Sequence, residues 1–176
     1  MTLPPFSAVL LVCGSRRLVQ IDGAHAKVLG ILRPWIESRP DDARIVTGDA
    51  TGPDTWVHQH HGLWCDGWNA RRPVGWTATR LVSRFTLNGT MRHENQGAAG
   101  CEIVERWAAV DDWRAWNRKR LPLLRNIAMV QWAKDQHVPC HAIGFVAPDA
   151  HTHGTDHTLT QCRAAGFASV ERVVIG

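Results

Sequence analysis

The sequence predicts an α/β protein: a doubly wound, mostly parallel sheet of about five strands with helices on both faces, plus an inserted hairpin or arm. Three stretches lead to that reading. Val9 to Arg17 (VLLVCGSRR), Arg44 to Asp54 (RIVTGDATGPD) and His141 to Thr158 (HAIGFVAPDAHTHGTDHT) each run from an apolar segment into a glycine-containing polar loop. The third restarts as a helix at Gly154-Thr155-Asp156. Strand, loop and helix in that order put each loop at the carboxyl end of a strand, where the first helical amides are unpaired and face any anion bound there. One such loop is weak evidence for a phosphate site, whereas three in one chain point to a nucleotide-type pocket.

The elements follow in order. Residues 7 to 13 are an apolar first strand. Asp22 to Ser38 reads as a helix with Asp22 as N-cap and Pro40 beyond its end. Residues 44 to 47 form strand two, and a helix runs from Asp54 to about Trp64. From 66 to 100 the rhythm is lost: Gly, Pro and Arg are frequent, and TRLVSRFTL followed by Asn88-Gly89 predicts a β-hairpin on a tight turn. Cys101 to Trp107 is read as the third sheet strand and Asn117 to Gln136 as a long helix. Strand four spans 139 to 147, a helix spans 155 to 165 with Gly166 as its C-terminal glycine, and strand five spans 169 to 175. With strand order 3-2-1-4-5, the loops after strands one and four become neighbours where the order reverses, which is where such sheets bind ligands.

Composition bounds the function. The 176 residues suffice for one domain with its own core. Hydrophobic residues at 44% and charged ones at 20% describe a soluble globular chain, and no apolar run nears the roughly 20 residues that span a bilayer, so no membrane partner is expected. MTLPPFSAVLLVCGSRR is read as a first strand, because no basic residue precedes its apolar core as in a secretory leader. A net charge of +4 suits an anionic ligand and falls short of a nucleic-acid footprint. Five cysteines without a CxxC pair indicate free thiols and a reducing cytoplasm.

Two residue groups invite other readings. His58, His60, His61 and Cys65, and then His151, His153 and His157, lack zinc-site spacing, so neither a metal nor another cofactor is expected. Arg71, Arg72, Arg80, Arg84 and Arg92 alternate with Trp68, Trp76 and Phe85 in the manner of a single-strand nucleic-acid surface. A dimer arm or a lid accounts for them better, and with it a homodimer or higher homo-oligomer.

CGSRR after strand one, IVTGDATGPD after strand two, DDWRAW ahead of RNIAM, and GFVAPDAHTHGTDHT after strand four together resemble the SLOG superfamily. They are most similar to its YspA-like branch, and more distantly to the lysine-decarboxylase-like LOG proteins and the DprA/Smf proteins. The resemblance covers the chain as a single SLOG-like domain except for an insertion at about 66 to 100. It implies a Rossmann-like fold that binds nucleotides or nucleotide-derived molecules, as sensor or as N-glycosidic hydrolase. Carried over by position, Gly14, Ser15 and Arg16 match the first loop, holding phosphate through backbone amides, a hydroxyl and a charge. Gly48, Asp49, Gly52 and Asp54 match the second loop, with Asp49 in place of a small residue and Pro53 in place of Ala; alone, Asp54 also reads as a helix N-cap. Arg125, Asn126 and Met129 match the motif whose Arg is catalytic in LOG-type hydrolases. Gly154 and Thr155 match the last loop.

Two departures stand out. His151-Thr152-His153 replaces Pro-Gly-Gly, and Thr158 stands where the catalytic Glu is expected. Hydrolysis requires a carboxylate, for which Asp156 or Asp149 is the nearest substitute. The expected function is therefore binding of a nucleotide-type ligand. A nucleoside 5′-monophosphate N-glycosidase acting through Arg125 and Asp156 is the alternative, and a DprA-like nucleic-acid-handling protein comes third.

Overall fold

The structure, a computed structural model, describes residues 7–38, 43–57, 81–85, 90–95, 102–106, 121–148 and 153–176. In chain order these form β1 (Ala8–Gly14), a 3-10 turn (Arg16–Gln20), α1 (Ala24–Ser38) and β2 (Ala43–Thr47), and then β3 (Leu81–Phe85), β4 (Thr90–Asn95) and β5 (Glu102–Arg106). They end with α2 (Leu121–Lys134), β6 (Cys140–Val146), α3 (His153–Ala164) and β7 (Ser169–Val174). A further helical segment begins at residue 53 and is described as far as 57.

One sheet holds all seven described strands, in the order β5-β4-β3-β2-β1-β6-β7. Parallel pairings join β3, β2, β1, β6 and β7 in turn, while β4 and β5 continue antiparallel beyond β3. The Rossmann-like, doubly wound α/β fold is thus present, and its strand order reverses at β1, between β2 and β6.

The alternation of side chains along β1 explains the two helical layers. Leu10 and Val12 face one way, into a core with Leu18, Val28 and Leu32 beneath α1 and the 3-10 turn. Val9, Leu11 and Cys13 face the other way, toward Met129, Val130 and Ala133 of α2 and Leu159 and Cys162 of α3. A central strand buried on both faces reads as an unbroken apolar run, which is what residues 8 to 13 are. Arg44, read at the sequence level only as the start of a strand, is buried with its guanidinium 5.7 Å from the Trp132 ring centroid.

Several boundaries differ from expectation. The third parallel strand is Leu81–Phe85, and Glu102–Arg106 is an antiparallel strand at the sheet edge. The supposed insertion therefore supplies two sheet strands, β3 and β4, which pair antiparallel as the expected hairpin. Phe85 is fully buried with its ring 6.2 Å from Trp132, so it belongs to the core and to no nucleic-acid surface. Asp22 does not cap α1. The 3-10 turn takes up residues 16 to 20, Gly23 adopts φ 73°, and α1 starts at Ala24. α3 starts at His153, earlier than expected, which places His153 and His157 one turn apart. Gly166 ends α3 as expected, with φ 79° and its amide on Arg163 O at 3.1 Å. His58, His60, His61, Cys65, Trp68, Arg71, Arg72, Trp76, Arg80, Asp149 and His151 lie outside the described residues, as do the Asn88-Gly89 turn and residues 117 to 120.

α3 crosses β6 at Gly144, where a Cβ would fall 2.8 Å from Leu159 Cδ1 and 2.9 Å from Thr155 Cγ2. Gly144→Ala is expected to destabilise the fold by about 1–3 kcal/mol through overpacking. Urea unfolding that matches the wild type would mean α3 is free to move off the sheet.

Candidate functional site

A cavity of about 420 Å³ opens at the carboxyl ends of β1 and β6. Among the described residues four segments wall it, and each is placed there by a local feature of the chain.

The β1 loop contributes Cys13, Gly14, Ser15, Arg16 and Arg17. Ser15 caps the 3-10 turn: its Oγ accepts from Arg17 N at 3.3 Å, and its own amide donates to Phe145 O at 2.8 Å. That amide is spent inside the protein, contrary to its expected part in holding phosphate. The turn throws the side chains of Arg16 and Arg17 outward, exposed and without an ion pair among the described residues. Gly14 is required by packing, since a Cβ there would fall 2.7 Å from Pro53 Cβ.

The β2 loop contributes Ala50 and Asp54. Gly52 adopts φ 104°, a region L side chains avoid, and lies against Ser15 O. The loop folds back so that the buried Asp54 carboxylate accepts from Gly48 N at 3.0 Å, while the Thr47 hydroxyl lies 3.2 Å from Asp54 O. Burial pushes the Asp54 carboxyl up to about 6, against the opposing pull of the Arg125 guanidinium and the amides of Gly48, Asp54 and Gly14. Burial, and then the Asp54 charge, also push the Cys13 thiol well up, so the cavity floor holds a neutral thiol and no thiolate nucleophile.

α2 contributes Pro122, Arg125 and Asn126. Arg125 is buried at 4% exposure, and each of its nitrogens already donates: Nη1 to the Asp49 carboxylate, Nε and Nη2 to Asn126 Oδ1 at 3.2 and 3.0 Å. Asn126 Nδ2 then donates to Thr158 Oγ1 at 2.7 Å, and Thr158 Oγ1 to Gly154 O at 2.8 Å. Thr158, at the position where a carboxylate was expected, is fully buried and links α2 to α3.

α3 closes the ring with His153, Gly154 and Thr155. Its first amides have no intrahelical partner and carry the positive end of the helix dipole. Gly154 lines the cavity and is exposed, and a Cβ built there meets nothing within 4 Å.

Of the residues expected at the site, Gly14, Ser15, Arg16, Asp54, Arg125, Asn126, Gly154 and Thr155 line the cavity. Gly48 supports Asp54, Asp49 holds Arg125, and Gly52 packs behind Ser15. Asp156 is not brought in. Its carboxylate pairs with Arg172 Nε at 2.9 Å on an exposed surface, because its place on the helix turns it toward β7. Cys13, Arg17, Ala50, Pro122 and His153 line the cavity unforeseen. Arg17 was legible as the neighbour of Arg16, whereas Pro122 had no sequence signal. Comparisons with protein-family models, curated proteins and solved structures found no match to the chain.

Because Asp54 titrates near 6 in the fold and at 3.8 ordinarily, the folded state holds its proton more tightly than the unfolded chain. The stability this contributes is fully present below the unfolded value and is lost as pH rises through 6, by about 3 kcal/mol. The unfolding free energy of the wild type minus that of Asp54→Asn should therefore fall between pH 4 and 7 and then level off. A difference that stays flat across that range would place Asp54 in a solvated setting.

Proposed function

We propose that this protein binds a nucleotide or nucleotide-derived small molecule, as a sensor or sequestering protein, in the cavity at the strand carboxyl ends. The observation that carries the reading is the meeting of the α3 N-terminus with two exposed guanidinium groups that have no ion pair among the described residues. Gly154 and Thr155 in the first turn of α3 line the same cavity as Arg16 and Arg17. Backbone amides, a helix dipole and fixed positive charge suit a phosphate group. The space is larger than a phosphate needs and falls within the usual size range of small-molecule sites, at the switch point where α/β sheets take their ligands. The loops involved are those that resemble the SLOG superfamily, which supports membership as part of the same proposal.

A second reading, cleavage of a nucleoside 5′-monophosphate at its N-glycosidic bond, is favoured by one observation. Asp54 is the carboxylate among the described lining residues, and its carboxyl, near 6, is poised for proton transfer at neutral pH. Asp54 replaces Asp156 in that role.

A cytoplasmic location suits the free, buried Cys13, Cys140 and Cys162. No described helix is long and apolar enough to cross a membrane. A homodimer suits Val174 and Ile31, large apolar side chains 54% and 39% exposed.

Mass spectrometry of small molecules released from the purified protein, then titration with nucleoside monophosphates while watching for free base, separates the readings. An intact nucleotide with no base released supports binding alone, and free base that vanishes in Asp54→Asn supports the hydrolase. Arg16→Ala and Arg17→Ala are each expected to weaken binding about tenfold, the loss of one charge-assisted contact. Gly154→Ala should also weaken it, while leaving stability unchanged or raised by up to about 1 kcal/mol, since Ala suits a helix better than Gly. Unaltered affinity in all three variants would remove the phosphate from this end of the cavity.

A further inference from the structure

We propose that the Arg125 end of the cavity rejects anionic groups, so the site takes ligands anionic at one end only and offers the other end to neutral hydroxyl or amino donors. The inference rests on the nucleotide-binding reading above and makes Asp49 the residue that sets this specificity.

The cationic groups of the lining form two unlike poles. Arg16 and Arg17 are exposed and have no ion pair among the described residues. The charge of Arg125, by contrast, is already engaged. Its Nη1 donates to Asp49, and its Nε and Nη2 to Asn126 Oδ1. Asp54 crowds the same guanidinium: a Cβ built on Gly48 would lie 2.7 Å from Asp54 Oδ1 and 2.8 Å from Arg125 Cζ. Two carboxylates therefore flank one guanidinium, the buried Asp54 of the cavity lining and Asp49, 27% exposed, so a phosphate approaching the guanidinium meets their negative charge.

Arg125 is not free to turn toward such a group. It is 4% exposed, and the Asn126 that holds it is anchored through Thr158 to Gly154 O. Releasing the guanidinium would strand Asp54, which is 2% exposed and draws on the Arg125 charge. An ionised carboxylate only accepts hydrogen bonds, so the complement of Asp54 is a donor such as a ribose hydroxyl or an exocyclic amine. A ligand with its phosphate at Arg16 and Arg17 and its uncharged end over Asp54 satisfies both poles.

The test is calorimetric. The wild type is titrated with the four nucleoside 5′-monophosphates. The tightest is then compared with its 3′,5′-bisphosphate and with its 3′-O-methyl derivative, which adds bulk at the same position without charge. The bisphosphate is expected to bind at least tenfold more weakly than the monophosphate, and the O-methyl derivative within about threefold of it. In Asp49→Asn, a change at a side chain that is 27% exposed, the gap between bisphosphate and monophosphate should narrow at least fivefold. A bisphosphate that binds the wild type as well as the monophosphate does would make Arg125 an anion site and overturn the inference while leaving nucleotide binding intact. Equal rejection of the bisphosphate and the O-methyl derivative would make the exclusion steric, and an unchanged gap in Asp49→Asn would remove Asp49 from it; either result overturns the charge account. Failure of all four monophosphates to bind would sink the nucleotide-binding reading, and this inference with it.

Discussion

One buried cation holds the ligand end of this fold together. Arg125 comes from α2, while Asp49 and Asp54, whose charges oppose its own, come from the loop after β2. Through Asn126 and Thr158 the same network reaches the first turn of α3. A buried carboxylate without a counter-charge costs several kcal/mol, and so does a buried guanidinium, so neither partner persists without the other. The cluster is therefore less a source of stability than a condition on geometry. It admits one arrangement of the loop, α2 and α3, and that arrangement leaves a cavity between them.

That arrangement divides the labour among the basic residues. Arg16 and Arg17 follow the strand directly, on a 3-10 turn whose Ser15 cap orients them outward. They contribute little to the core and are available to a ligand. Arg125 is consumed by the framework. A positive charge at a binding site thus has two separate uses, and burial together with existing partners decides which of them applies.

The central sheet was legible because its physics is local. β1 and β6 are covered on both faces and read as apolar runs ended by glycine loops, so their positions, and the reversal of strand order beside β1, follow from pattern alone. β3 was harder to read. Leu81–Phe85 sits in a stretch rich in arginine and was read as part of an inserted hairpin. The hairpin is there, paired antiparallel with Thr90–Asn95, but it belongs to the sheet, and Phe85 is fully buried beside Trp132, a partner 47 residues away that no local pattern announces. The site divides in the same way. The glycine loops marked its location, but the roles of Ser15, Thr158 and Asp156 depended on partners such as Phe145, Asn126 and Arg172, all brought close by tertiary packing. Thr158 in place of an expected carboxylate was visible in the sequence. That its hydroxyl joins two helices was not.

The close packing of Gly14 against the Pro53 ring ties together the histories of the two loops it joins. A side chain can appear at position 14 only after the proline has gone, and once it has appeared the proline cannot return. Neither loop drifts alone. A graft that moves one of them into a homologous scaffold without the other would carry half of an interlocking pair, so the natural unit of exchange is both loops at once, although some 40 residues separate them along the chain.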